Sequence, residues 1–227
     1  RAGVPLGTFF LYKHDGIYQS DEEVPEALYK KGYRAGDIRY LDVNGDGNLN
    51  DEDCMPLGNV NPKFQGGWSN TFSWKGIDLN IFFTFCYGND IYAGQAFNYT
   101  KISYKANSMA KYSTNYWTPG SGENWYPRPY YNSSLNQLSS DFFLHDGSFF
   151  RLRNISLAYN FPSKLIERAS IKGLRVYFSV DNAFLATKFD EGWDPEVNTN
   201  NDARYVGVDN FNIPQPRVYT FGINLTL

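Results

Sequence analysis

Residues 64–87 read FQGGWSNTFSWKGIDLNIFFTFCY, two alternating runs that meet at Lys75-Gly76. In both runs large apolar side chains recur at every second position, which is typical of a β-strand with one apolar and one polar face. A two-residue link between such runs predicts a β-hairpin. Each arm has about ten residues or more, the length that a tilted membrane strand needs, whereas soluble strands usually have about five or six.

The last residues of the chain show the same alternation. Tyr219, Phe221, Ile223, Leu225 and Leu227 alternate with Thr220, Gly222, Asn224 and Thr226 up to the final position. An alternating strand at the end of a sequence is typical of outer-membrane β-barrels with antiparallel strands. We therefore expect it to be the strand that closes such a barrel and is recognised by the insertion machinery.

Three further strands are expected, and one of them contains an irregularity. They cover residues 149–161, 174–181 and 6–13. In the first of these, Phe150 is out of phase with Ile155, although both belong to apolar runs. One extra residue in a strand shifts the phase, so we expect a β-bulge near Arg153 or Asn154.

The connections between these strands alternate strictly between short and long. The short ones are residues 75–76 and 162–173, and the long ones are residues 14–61, 88–146 and 187–214. Transmembrane barrels have short periplasmic turns and long extracellular loops. The sequence therefore predicts an all-β fold, a transmembrane antiparallel β-barrel with long extracellular loops. About six strands cannot close a barrel, since the smallest have about eight, so we expect residues 1–227 to be a C-terminal segment whose other strands lie elsewhere.

Composition excludes several classes of protein. Aromatic residues make up 18% of the chain although the mean hydropathy is only −0.50; a barrel wall with interfacial rings and a polar inner face explains this mixture. The alternative is a soluble, aromatic-rich carbohydrate-binding β module.

A net charge of −3 without a basic cluster argues against nucleic-acid binding. Cys54 and Cys86 are too few and too far apart for a disulfide framework or a zinc site, so both are expected to stay unpaired.

Residues 42–53 read DVNGDGNLNDED and match a twelve-residue Ca²⁺ loop of EF-hand type. The expected ligands are Asp42, Asn44, Asp46, the Asn48 carbonyl, Asn50 (directly or through water) and Asp53. Gly47 would permit the sharp turn, and Leu49 would hold the loop on the surface below. The alternative is an Asx-rich turn that binds no ion. Because flanking EF-hand helices are not evident, we expect a structural Ca²⁺ inside an extracellular loop.

Catalytic patterns are absent from the sequence. His14 and His145 show no metal-ligand spacing, and no nucleophile elbow, phosphate loop or dinucleotide fingerprint occurs. The sequence therefore predicts that the chain is not an enzyme. An aromatic-rich stretch in the long connection 88–146 has two readings instead: its rings could stack on sugars or pack the loop onto itself. Its members are Trp117, Trp125, Tyr126, Tyr130 and Tyr131.

Several segments resemble one known family in the same order. They are GDIRY at residues 36–40 followed by the 42–53 loop, GNVNPKF at 58–64, YGNDIY at 87–92, DGSFFRLRN at 146–154, DPEVN at 194–198 and PQPR at 214–217. With these segments, the chain resembles the SusC/RagA group of TonB-dependent outer-membrane transporters of Bacteroidota over nearly its whole length.

The resemblance implies a fold, a location and partners. The fold would be the last part of a barrel of about 22 strands in the outer membrane, with the plug and the TonB-contacting segment in a part not present here. Such proteins import glycans or peptides with energy supplied through TonB, and they pair with a SusD-like surface lipoprotein. A passive porin and the soluble calcium-bearing carbohydrate-binding β module are the competing hypotheses. A plug upstream distinguishes the importer from a porin, and partitioning into detergent distinguishes both from the soluble module.

Overall fold

The computed structural model describes residues 3–100, 107–121, 126–131, 134–167, 170–197 and 205–227. These residues form two compact units. The first, called the loop unit, comprises Arg1–Asn61, Asp90–Asp146 and Glu196–Asn212. The second, called the wall unit, comprises Pro62–Asn89, Gly147–Pro195 and Ile213–Leu227. No helix among the described residues is long and apolar enough to cross a membrane.

Strands dominate the chain, and its helices are short. The strands are β1 Thr8–Leu11, β2 His14–Ile17, β3 Ile38–Tyr40, β4 Met55–Asn59, β5 Phe64–Trp74, β6 Ile77–Tyr87, β7 Asp90–Ala93, β8 Leu144–Asp146, β9 Phe149–Asn160, β10 Gly173–Thr187, β11 Val208–Asp209 and β12 Val218–Thr226. The α-helices are α1 Glu26–Lys30, α2 Gly94–Tyr99, α3 Ala110–Thr114 and α4 Ser163–Ile166, and 3₁₀ turns lie at Asp21–Glu23, Asp51–Asp53 and Asp141–Phe143.

The wall unit is a five-stranded antiparallel sheet in the order β12-β10-β9-β6-β5. The predicted hairpin is confirmed, since β5 and β6 pair from Phe64 opposite Tyr87 to Trp74 opposite Ile77. Lys75 and Gly76 both have positive φ, at 48° and 87°, as the tight turns of two-residue hairpins require. A Cβ on Gly76 would lie 2.6 Å from the Asn160 carbonyl oxygen, so the neighbouring strand also demands glycine here.

The register places apolar side chains in rows on one face of this sheet. One row runs across all five strands through Phe72, Leu79, Leu157, Phe178 and Phe221. The next runs through Trp74, Ile77, Tyr159, Val176 and Ile223. These side chains are poorly covered: Phe221 is 67% exposed and Trp74 is 66% exposed. Large exposed apolar patches mark contact surfaces in proteins. We therefore expect this face of the sheet to be a contact surface.

The opposite face carries polar rows. Between the two apolar rows lies the row Ser73, Asp78, Ala158, Tyr177 and Gly222, and beside it lies Thr71, Asn80, Ser156, Ser179 and Thr220. Hydrogen bonds cross this face, with the Ser73 hydroxyl 2.7 Å from a carboxylate oxygen of Asp78 and the Asn160 amide donating to Asp78 at 2.8 Å. The alternation seen in the sequence is therefore a two-faced sheet.

The predicted bulge is confirmed. Phe82 pairs with Asn154 and Phe83 with Leu152, so Arg153 is the extra residue on β9. The extra residue turns Leu152 onto the same face as Ile155, because each residue added to a strand reverses the side of all that follow. The bulge, which appears in the sequence as a change of phase, thus keeps the apolar face of the sheet continuous.

The loop unit is assembled from short strands around a core that contains many tyrosines. β1 pairs with β4, β2 with β3, and β7 with β8 and β11. The core cluster comprises Tyr12, Tyr18, Val24, Leu28, Tyr33, Ile38 and Tyr40. Burial of an aliphatic member such as Leu28 stabilises a fold by about 1.5 to 3 kcal/mol relative to exposure. The three long connections expected from the sequence therefore contribute to one compact unit.

One expected strand is placed differently by the structure. We expected residues 6–13 to form a sixth long strand of the wall, but β1 covers only Thr8–Leu11 and belongs to the loop unit. It pairs with β4, and a register shift interrupts this short ladder. The prediction of a sixth wall strand is therefore wrong, because β1 pairs with β4, which is distant in the sequence, and this pairing places these apolar residues in the loop unit.

Candidate functional site

The 42–53 loop has a tight turn held by its own acidic and amide side chains. Gly45 and Gly47 have φ of 74° and 79°, which glycine adopts without strain. The two carboxylate oxygens of Asp42 accept hydrogen bonds from the backbone N–H groups of Gly45 and Gly47, both at 2.7 Å. Asn44 and Asp46 make similar bonds to the amides two residues on. Residues 42–48 therefore form an Asx-rich turn.

Asp53 connects the two ends of the loop through backbone hydrogen bonds. Its carboxylate is fully buried and accepts the backbone N–H groups of Val43 and Asn50, each at 2.9 Å. Asn50 caps the 3₁₀ turn in return, accepting the Glu52 N–H at 2.8 Å. Leu49 packs against the core cluster, as expected from its position. The loop is thus fastened to the loop unit at its last residues.

The oxygen chemistry of this loop fits Ca²⁺, but its side chains do not converge in this arrangement. In the described part of the chain, no three His, Cys, Asp or Glu side chains lie close enough together to hold a metal ion. Asp42 and Asp53 face backbone amides instead, and the Asn48 side-chain oxygen accepts from Lys31 Nζ at 3.1 Å. Binding would therefore require the half-buried carboxylate of Asp42 and the exposed carboxylate of Asp46 to turn inward.

The aromatic residues expected to meet ligand fall into separate environments. Trp117 is only 7% exposed, its ring lies against Gly36, and its indole N–H donates to Gln19 at 3.1 Å. Of the two readings left open by the sequence, the burial of Trp117 favours packing of the loop onto itself. Tyr126 is half-buried and meets the Tyr112 ring edge to face at 4.8 Å. Tyr130 and Tyr131 are exposed, and Trp125 lies outside the described residues.

Asp37, which the sequence showed only as part of the GDIRY segment, joins separate parts of the loop unit. It is 1% exposed, and Arg128 donates to both of its carboxylate oxygens at 3.0 Å. The Asn136 amide donates to it at 3.0 Å and the Arg34 backbone N–H at 2.8 Å. No local signal could have identified this role, since Arg128 lies 91 residues away in the chain.

His14 sits where two of the long connections meet within the loop unit. Its backbone N–H donates to Asp141 at 2.6 Å, and its ring packs edge to face against Phe142 at 5.4 Å. The buried Nε2 has no hydrogen-bond partner. Burial lowers the pKa of His14 from its ordinary value of 6.5, and Lys13 and Arg39 lower it further, while Asp141 and Asp15 oppose them.

A pH dependence of the loop unit follows from this environment. Because the charged form is disfavoured in the folded state, the unfolded chain binds more protons below pH 6.5. Stability should therefore be constant above that pH and fall as the pH is lowered through the window between the two pKa values. The Leu41 amide is bonded to the Lys13 carbonyl. Its hydrogen exchange at pH 5.0 should be faster than the pH dependence of the intrinsic exchange rate alone predicts. His14→Gln should abolish this dependence and His145→Gln should not; an unchanged dependence in His14→Gln would contradict the assignment.

Cys54 and Cys86, both described, form no disulfide in this structure. Cys54 packs against the core cluster of the loop unit. Cys86 lies on β6 in the wall unit, with its sulfur 3.3 Å from the Asn89 side-chain oxygen. The two thiols therefore belong to different structural units.

Comparison with known proteins gives a consistent picture. No family model matches the chain. Over 99% of its length it is 31% identical to TonB-dependent receptor P3 of Formosa agariphila, and over 100% it is 29% identical to TonB-dependent receptor SusC of Bacteroides thetaiotaomicron. The structure of the RagAB peptide transporter has the same fold over 96% of the chain, with a TM-score of 0.72 at 23% identity. The chain is thus similar over nearly its whole length to one part of the TonB-dependent receptors. The resemblance drawn from its segments is thereby confirmed.

This similarity covers only one part of each relative. The chain spans about a fifth of the length of the curated relatives it matches, 22% of receptor P3 and 20% of SusC. It likewise covers 22% of the matched chain in the RagAB structure. These relatives are named as receptors and a peptide transporter, which agrees with the prediction of a non-enzymatic role.

Proposed function

We propose that this chain forms part of the barrel wall and the extracellular loops of a TonB-dependent importer in the outer membrane. The observation that carries the proposal is the wall unit, whose five long strands have one continuous apolar face and one polar face. A lipid-facing band and a wet interior need this arrangement. Relationship to receptors such as SusC supports energy coupling through TonB rather than passive diffusion.

The dimensions of the wall support a membrane location. β5 and β6 have 11 residues each, which at about 3.3 Å per residue and a tilt of about 40° cover about 28 Å. The apolar band of an outer-membrane barrel is about 25 Å tall. The outer edges of β5 and β12 carry no further strand among the described residues. Backbone groups cannot remain unpaired in hydrocarbon, so additional strands would continue the sheet into a closed barrel of about 22 strands.

The assignment of faces can be tested with two neighbouring residues on β6. Ile81 lies in the apolar row with Ile155, and Asn80 lies in the polar row with Thr71 and Ser156. Arginine near the bilayer midplane on the lipid face costs about 2 to 4 kcal/mol, but little in a wet lumen. Ile81→Arg should therefore lower the yield of heat-modifiable folded barrel in lipid vesicles far more than Asn80→Arg. Equal yields, or the reverse order, would refute the lipid-facing assignment.

The cargo and partners of the whole receptor follow from its relatives as proposals. One structural relative is named a peptide transporter, and the SusC/RagA group imports glycans or peptides together with a SusD-like lipoprotein. We infer the same arrangement here. The three long connections, which contribute most of the loop unit, would then face the partner and the incoming substrate.

Uptake measured in the source bacterium tests the import activity. Cells that depend on this receptor should lose uptake of its substrate on deletion of the gene, on dissipation of the proton-motive force and on deletion of the gene for the proposed SusD-like partner. Pull-down of the tagged receptor should recover the lipoprotein. Uptake that persists without the proton-motive force would show a passive pore and overturn the proposal.

We also propose that residues 42–53 bind one structural Ca²⁺. Asp42, Asn44, Asp46, the Asn48 carbonyl, Asn50 and Asp53 would be its ligands. Their support is the motif spacing, together with a backbone already folded into a tight turn at Gly45 and Gly47. Several carboxylates in one short loop repel one another, and a divalent cation relieves the repulsion.

A chelator should loosen this loop without unfolding the receptor. Extracellular Ca²⁺ modules of this kind bind at about 10⁻⁴ to 10⁻³ M, so cleavage within residues 42–53 by added protease should rise when Ca²⁺ is removed. Asp42→Asn with Asp46→Asn should show the higher cleavage even in millimolar Ca²⁺. Glu26→Gln, an exposed acid of the loop unit paired with Lys30, should behave like the wild type. If cleavage does not depend on Ca²⁺ in the wild type or in either variant, the loop is a turn that binds no ion.

A further inference from the structure

The two short connections of the wall unit, residues 75–76 and 162–173, lie at the same end of its sheet, called the turn end. The N–H of Asn160, the last residue of β9, donates to the Gly76 carbonyl at 2.7 Å. At about 3.3 Å per residue and a tilt of about 40°, β5 covers about 28 Å. Its last residue, Trp74, therefore lies at the edge of an apolar band about 25 Å tall.

Aromatic rings are concentrated at the turn end. Trp74 is 66% exposed and belongs to the same apolar row as Tyr159. The Tyr159 ring meets the Phe161 ring edge to face at 4.8 Å, and a Cβ on Gly76 would lie 3.5 Å from the Tyr159 ring. Tryptophan and tyrosine collect at the level of lipid headgroups, because one part of each side chain is apolar and another is polar. The turn end therefore has the side chains of a boundary between hydrocarbon and water.

A positive charge lies on the apolar side of this end. The Lys75 ammonium is 4.9 Å from the centre of the Trp74 ring. Since Trp74 points to the apolar face, Lys75 extends toward the same face. Asp78, the only acid of residues 64–87, lies on the polar face, where it accepts hydrogen bonds from Ser73 and Asn160. The sheet therefore separates this carboxylate from the Lys75 ammonium.

The second short connection adds positive charge at the same end. In its described part, Lys164 and Lys172 are exposed, as is Glu167. The ammonium groups of these two residues and of Lys75 thus outnumber the Glu167 carboxylate. An ammonium offers three hydrogen-bond donors and binds phosphate as a compact charge. Positive charge beside exposed rings complements a molecule with an anionic head and an apolar tail.

We propose that the turn end binds the headgroup of an anionic phospholipid such as phosphatidylglycerol. The acyl chains would lie on Trp74 and the apolar rows beyond it, and the phosphate would accept hydrogen bonds from the Lys75 ammonium. Phosphatidylglycerol carries a net negative charge, which basic side chains near the membrane surface attract. In phosphatidylethanolamine and phosphatidylcholine, a cation of the same headgroup offsets the phosphate. Charge is therefore the basis of the preference.

This lipid site rests on the membrane wall proposed above and deepens it by naming a lipid partner. Short turns of outer-membrane barrels are periplasmic, so the lipid belongs to the periplasmic leaflet.

Fluorine NMR of the intact receptor in nanodiscs tests the preference at the site itself. Receptor labelled with 5-fluorotryptophan would be placed in phosphatidylcholine with increasing fractions of phosphatidylglycerol, and the Trp74 resonance is the one that Trp74→Phe removes. This resonance should shift with phosphatidylglycerol and not with equal fractions of phosphatidylethanolamine. Lys75→Gln should raise the phosphatidylglycerol fraction at half of the shift about fivefold, the factor for one basic residue near an anionic surface. Lys63→Gln removes an exposed lysine beside the opposite end of β5 and should change that fraction less than twofold.

The proposal fails if phosphatidylglycerol does not shift the Trp74 resonance, if phosphatidylethanolamine shifts it equally, or if Lys75→Gln and Lys63→Gln require the same fraction. A phosphatidylcholine with a spin label in its acyl chain separates these results from failure of the wall assignment. This label should broaden the Trp74 resonance in every lipid mixture. Broadening without a preference for phosphatidylglycerol would refute the lipid site alone, whereas a resonance that the label leaves sharp would refute the membrane wall as well.

Discussion

Asp37→Ala is expected to destabilise the loop unit by about 3 to 5 kcal/mol. Removing one partner of a buried ion pair costs about this much, because the other charge is left without its counterion. Asp37 is 1% exposed and accepts four hydrogen bonds, two of them from Arg128. The substitution therefore releases Arg128 and also the Asn136 amide, whose oxygen accepts the Ile38 N–H at 2.8 Å.

Native-state hydrogen exchange on the intact receptor would measure this change. The amides of Ile38 and Arg128 report on it, since Arg128 N–H donates to the Gly36 carbonyl at 2.8 Å. Asp15→Ala is the matched control, because Asp15 also pairs with an arginine of the loop unit, Arg39 at 3.1 Å, but is 59% exposed. An exposed pair contributes about 0 to 1 kcal/mol. Equal exchange in the two variants would show that Asp37 does not hold the loop unit together.

The wall unit could be predicted because its signals are local. Alternation at every second residue determines which side chains share a face, and the Lys75-Gly76 link determines the β5–β6 register. The bulge at Arg153 was readable for the same reason, since it appears as a change of phase within one strand. The short connections then pair β5 with β6 and β9 with β10, with no need to know distant contacts.

The loop unit could not be predicted because its contacts join distant parts of the chain. Tyr33 donates to the Leu135 carbonyl 102 residues away, and Ile38 is bonded to Asn136. The sequence pattern around a residue such as Trp117 is the same whether its side chain faces ligand or packs inward. Only the close approach of its ring to Gly36, where a Cβ would lie 2.4 Å away, identifies a packing role. Composition and spacing carry no information on such pairs.

Asp194→Ala is expected to destabilise the wall unit by about 3 to 5 kcal/mol, again through a buried charge. Arg151 on β9 and Asp194 are 3% and 5% exposed, and Arg151 Nη2 lies 2.5 Å from the Asp194 carboxylate. The other oxygen of Asp194 accepts the Gln215 N–H at 3.2 Å, just before β12 begins. One carboxylate therefore links a wall strand to the segment that leads into the last strand.

Removal of both charges separates the role of the ion pair from the role of packing. Replacing a buried pair with apolar residues of similar size is often neutral, so Arg151→Met with Asp194→Leu should recover most of the stability that Asp194→Ala loses. Urea unfolding of the receptor in lipid vesicles would give the three unfolding free energies, with Asp190→Ala as an exposed acid from the same segment. If the double variant is as unstable as Asp194→Ala, the loss arises from the Gln215 contact and not from the uncompensated charge of Arg151. Recovery in the double variant would instead show that the pair is tolerated in the wall only because each charge compensates the other.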